Sequence, residues 1–85
     1  MGRGIEITMT KTYEDNAVCE YHCIVFIEVE FKGVVKVFKN PLSVEFPSLF
    51  MSDTAQWSFC REAIHFKVKR FFESGGLPMQ INSAY

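Results

Sequence analysis

The sequence has little to hold a small chain together covalently, and no surplus of charge of either sign. It carries three cysteines, an odd number that excludes a closed disulfide framework without a free thiol or an intermolecular bond. Reduced, buried thiols are expected. Nine lysines and arginines stand against ten aspartates and glutamates, so no global field draws the chain onto nucleic acid or anionic lipid. No apolar run approaches the roughly 20 residues that cross a bilayer. The first residues, MGRGIEITMTKTY, contain no apolar core followed by a small-residue cleavage site. Glu6 stands where a myristoylation signal needs Ser or Thr. Internal repeats, low-complexity segments, phosphate-binding glycine loops, Ser-His-Asp sets and metalloprotease motifs are also missing. The expectation is a soluble, cytoplasmic protein with no membrane partner and no cofactor.

What is present is apolar and patterned. Aromatic residues are abundant, nine of them phenylalanine, and 85 residues suffice for one domain and no second. Ile5, Ile7, Met9 and Tyr13 alternate with Glu6, Thr8, Thr10 and Thr12, which predicts a half-buried strand over 5 to 13, Lys11 being the exception on its apolar side. After the turn cluster Glu14-Asp15-Asn16, the residues Cys19, Tyr21, Cys23, Val25, Ile27, Val29 and Phe31 continue the alternation. They predict a long second strand, over about 17 to 31, whose length calls for a bend or bulge. A three-residue loop at Phe31-Lys32-Gly33, with Gly33 in the left-handed position, would then open a third strand over about 34 to 40. In that register Glu30 faces Val34, Val29 faces Val35, Glu28 faces Lys36, Ile27 faces Val37 and Phe26 faces Phe38, matched pairs except the one beside the turn.

Residues 41 to 50 hold two prolines and fit a short edge strand and an irregular connection. Asp53, with Gln56 three residues on, offers a helix N-cap, and Gly75-Gly76 a stop, predicting a helix over 54 to 73. The tail over 77 to 85 is either a further edge strand or loose. The fold class expected is therefore α+β, an antiparallel meander of three to five strands packed against one C-terminal helix. The expected core is Ile7, Cys23, Val25, Ile27, Val29, Val37, Trp57, Ile64, Val68 and Phe71.

Cys19, His22 and Cys23, with Cys60 and His65, are the residue types zinc prefers. In a strand, however, Cys19 and Cys23 lie roughly 13 Å apart, against the separation of about 4 Å that two sulfurs on one zinc require. Neither a shared metal nor a mutual disulfide is expected. His65 turns roughly 140° from Cys60 on a helix, so the two cannot pair as base and nucleophile. Arg61, Lys67, Lys69 and Arg70 fall near 40°, 280°, 120° and 220° on a wheel advancing about 100° per residue; they ring the helix and form no phosphate-tracking stripe.

More apolar surface is patterned than one small core consumes. The helix has a main stripe of Trp57, Cys60, Ile64, Val68, Phe71 and Phe72, and a second of Ala55, Phe59, Ala63 and Phe66. The wet face of the sheet carries Ile24, Phe26 and Phe38 among the acids Glu6, Glu20, Glu28 and Glu30. Residues 1 to 53 hold five basic and eight acidic side chains, and residues 54 to 85 four basic and two acidic. The pattern predicts a non-catalytic protein-binding module of inhibitor or adaptor type, with a protein partner or a second copy on its exposed aromatics. The interface candidates are Ile24, Phe26, Phe38, Glu28 and Glu30 on the sheet, or Phe59 and Phe66 on the helix. A nucleic-acid module using the basic helix is the second reading, and a small enzyme with an unrecognised site the third.

Overall fold

Alternating apolar residues commit most of the chain to strands, and the computed structural model, which describes residues 4–49 and 51–85, shows how they pair. The elements are β1 (Glu6–Glu14), β2 (Val18–Ile27), β3 (Val29–Lys39), β4 (Leu42–Glu45), the helix α1 (Thr54–Glu73) and β5 (Gln80–Ala84). The five strands form one antiparallel sheet in the order β4-β3-β2-β1-β5. Four strands run as a meander, and α1 then carries the chain back so that β5 pairs with β1. The fold is α+β, a half-barrel of five strands with one helix near the C-terminus, and the tail adds a strand.

The helix begins and ends where its punctuation lies. The Asp53 carboxylate accepts the Gln56 N–H at 2.9 Å, satisfying one of the amide donors that the first turn leaves without a partner. Ser74 closes the far end, its N–H reaching the Arg70 carbonyl at 3.0 Å, and Gly75 and Gly76 follow at φ 126° and 154°. Only glycine adopts such values freely. One helical stripe, Cys60, Ile64 and Val68, is fully buried against the inner sheet face of Ile5, Ile7, Met9, Cys19, Tyr21, Cys23, Val25, Val35, Val37 and Ile81. Leu49, Met51 and Leu77 seal its margins. Trp57, Phe71 and Ile27 pack against this core while half-buried.

The β2–β3 hairpin turns four residues earlier than the sequence pattern suggests. Its turn residue is Glu28, at φ 63°, with Ile27 directly opposite Val29. Phe26 consequently faces Glu30 instead of Phe38, Phe38 faces Val18, and Lys36 faces Glu20 instead of Glu28. A turn at Gly33 would leave residues 18 to 24 without a β3 partner, whereas the observed register pairs β2 along its whole length, and backbone donors favour the longer ladder. Because the displacement is even, every side chain keeps its face, and Val35 and Val37 remain inside. Val29 does not: expected in the core, it lies at the hairpin tip, 58% exposed.

Gly33 serves closeness instead of turning. It sits opposite Cys23 in mid-strand, and a Cβ there would lie 2.6 Å from the backbone N and Cα of Leu49. Beside it the Val34 N–H bonds the Ser48 hydroxyl at 2.9 Å, so the chain after β4 is laid directly on β3. The sheet's irregularity falls in β1, not in the longer β2. A shift between Lys11 and Tyr13 moves Tyr13, expected beside Met9, to a position facing Glu20, where it is 51% exposed.

Candidate functional site

Strand alternation delivers a second, outer face to the sheet, and α1 lies on the other side. Reading across the strands near the hairpin, Glu30, Phe26, Glu6 and Ala84 form one row and Lys32, Ile24, Thr8 and Asn82 the next. Val34, His22, Thr10 and Gln80 follow, and further along Glu45, Lys36 and Glu20 lead to Ser43, Phe38 and Val18. Phe26 is 45% exposed between two carboxylates. Beside it opens a shallow hollow of about 580 Å³, lined by Gly4, Ile5, Glu6, Phe26, Ala84 and Tyr85.

The candidates do not form one patch. Phe26 and Glu30 are neighbours and Glu28 caps the same end, with Ile24 one row away and half-buried. Phe38 lies at the opposite end of β3, half-buried beside Val18, with the Lys36 ammonium 5.4 Å from its ring centre. On the helix, the Phe59 ring meets Tyr85 edge-on at 5.1 Å and is half-buried. The tail thus covers part of the second helical stripe. Phe66 stays 58% exposed, with the Arg70 guanidinium 5.7 Å from its ring centre. Ala84 and Tyr85 were not among the candidates; the alternation of Met79 and Ile81 hinted at a strand, but nothing in it names β1 as the strand it joins.

The other end of the sheet is polar and internally satisfied. Glu14 takes the ammonium groups of Lys11 and Lys39 at 2.6 Å each, and Lys11 also donates to the Leu77 carbonyl at 2.6 Å. Lys11, the misfit on the apolar side of β1, therefore ties the chain leaving α1. Hydrogen bonds from Lys11 and Lys39 hold the Glu14 carboxyl below its ordinary pKa. Asp15 is lowered likewise, by the Tyr13 hydroxyl and the amides of Ala17 and Val18. Buried Tyr21 donates to the Pro78 carbonyl at 2.6 Å, and desolvation raises its pKa.

The thiols are poorly placed for chemistry. Cys19, Cys23 and Cys60 are buried and unbridged. Burial pushes Cys23 up to about 12, with Cys60 adding to the effect, and raises Cys19 and Cys60 too. A nucleophilic cysteine needs the reverse, a lowered pKa and access. Among the described residues no three histidine, cysteine, aspartate or glutamate side chains cluster so as to hold a metal ion, and no helix is long and apolar enough to cross a membrane. No protein-family model, characterised protein or solved structure matches the chain.

Proposed function

We propose that the chain is a non-catalytic protein-binding module whose site is the hairpin end of the outer sheet face, with Phe26 as its anchor. The observation that supports this is the row Glu30-Phe26-Glu6, an exposed aromatic ring between two carboxylates beside an open hollow. Aromatic anchors with a polar rim are the usual anatomy of an interface. The acids select the partner: an apolar side chain flanked by lysine or arginine would fill the hollow and meet opposite charge. The same acids repel phosphate, which sets nucleic acid aside. Three reduced thiols suit a cytoplasmic setting.

Selection from a random peptide library displayed on beads tests this reading. Peptides with a Leu or Phe between basic residues should be enriched, should weaken as salt rises, and should fail to bind Phe26→Ser while still binding Phe66→Ser. Enrichment of acidic peptides, or binding indifferent to Phe26→Ser, would contradict it.

A further inference from the structure

The two edges of the sheet are unlike, and the difference points to a second copy of this chain. At one edge β4 is four residues long, carries Glu45, lies between Pro41 and Pro47, and is followed by the segment laid against Gly33. Shortness, charge and proline are devices that block edge pairing. At the other edge β5 has none of them: residues 77 to 85 contain no charged side chain, and the only proline, Pro78, precedes the strand. In β1–β5 pairing, Ile5 and Tyr85 exchange both backbone bonds, at 3.0 and 2.8 Å, and Lys11 donates to the Met79 carbonyl at 2.8 Å. By antiparallel alternation, residues 79, 81, 83 and 85 aim their backbone groups at β1, while Gln80, Asn82 and Ala84 aim theirs outward.

We propose that the protein forms a symmetric dimer by antiparallel pairing of β5 with β5 of a second copy, about a two-fold axis at Asn82. The outward groups are self-complementary about that residue: Asn82 pairs with its own copy, and Gln80 with Ala84 of the copy, so all three residues exchange backbone bonds at once. The same axis sets Met79, 67% exposed, opposite Tyr85 of the copy, a sulfur–aromatic contact. The helical flank that starts at Phe59 beside Tyr85 and runs through Ala63 to exposed Phe66 lies on this side of the sheet, and Trp57, against Phe46 at 5.2 Å, on the β4 side. Absence of charge along β5 leaves no repulsion across the axis, as an isologous contact requires. This surface adjoins the outer-face site, sharing Ala84 and Tyr85 with its hollow, but does not use Phe26.

Sedimentation equilibrium of the full chain, with amide exchange on the same samples, tests the dimer. The wild type should sediment as a dimer with the Gln80, Asn82 and Ala84 amides protected. Asn82→Lys places two ammonium groups across the axis at a position exposed in the monomer; it should stay folded and raise the dissociation constant by about a hundredfold or more. Asn82→Pro, which removes an outward N–H that β1 does not use, should act in the same direction. Phe26→Ser should dimerise as the wild type does. A monomeric wild type, a dimer unmoved by both Asn82 variants, or a dimer lost with Phe26→Ser would each overturn the proposal, the last while leaving the outer face as a binding surface.

Discussion

Successive residues of one strand, β2, live in two different environments. Cys19, Tyr21, Cys23 and Val25 have no solvent exposure, while His22 and Phe26 between and beside them are exposed and Ile24 is half-buried. Ile24 and Phe26 are as apolar as the inner set, yet one helix can cover only one side of a sheet. What differs is the partner: the inner residues meet Cys60, Ile64 and Val68, and the outer ones lie beside their cross-strand neighbours on the face away from the helix. Apolar character at a position thus reports a tendency to be covered, and topology decides what does the covering.

The largest effects should come from the inner side. Ile64→Ala removes a fully buried side chain from the helix–sheet contact and should cost about 2 to 5 kcal/mol in urea denaturation, enough to unfold much of a small domain. Gly33→Ala comes next, because its Cβ must displace the Leu49 backbone; overpacking of this kind costs about 1 to 3 kcal/mol. If instead Gly33 were the hairpin turn, Leu49 would not care, and amide exchange at Met51 and Leu49 would be unaltered by the substitution. Glu28→Gly sharpens the same point with opposite sign. A non-glycine residue at φ 63° bears a penalty of about 1 to 2 kcal/mol, so glycine there should raise the denaturation midpoint, whereas a register with Glu28 in mid-strand predicts a loss.

The smallest effect should be electrostatic and confined to the polar end. Glu14 titrates below its ordinary value of 4.5 in the fold, so its contribution is complete above that value and is lost as pH falls through the lower folded one. Glu14→Gln should flatten stability against pH in that acidic window and bring a modest uniform loss near neutrality, the two ion pairs of Glu14 lying at the surface, where such pairs contribute little.

Much of the fold was legible because local signals agreed with it. The helix from Thr54 to Glu73 is bounded by Asp53 and Gly75-Gly76, and period-2 alternation put Ile7, Cys23, Val25 and Val37 inside. What the residues could not convey was register. Lys32-Gly33 has the chemistry of a turn, and Gly33 is spent instead on a close approach by Leu49, a contact that only the folded chain brings about. The aromatic candidates scattered for the same reason: Phe26 and Phe38 were matched by a register that the structure replaces. Phe59 acquired a cover in Tyr85 because β5 pairs with β1, a long-range choice that strand alternation leaves open.

The contrast between the two sides of the sheet is tested most directly by urea denaturation of Phe26→Ser. A phenylalanine on the uncovered face should be replaceable at a cost under about 1 kcal/mol with an unchanged denaturant slope. A loss of about 3 to 5 kcal/mol, as for a phenylalanine removed from a core, would show that the outer face is already covered within the chain and would remove the ground for a binding site there.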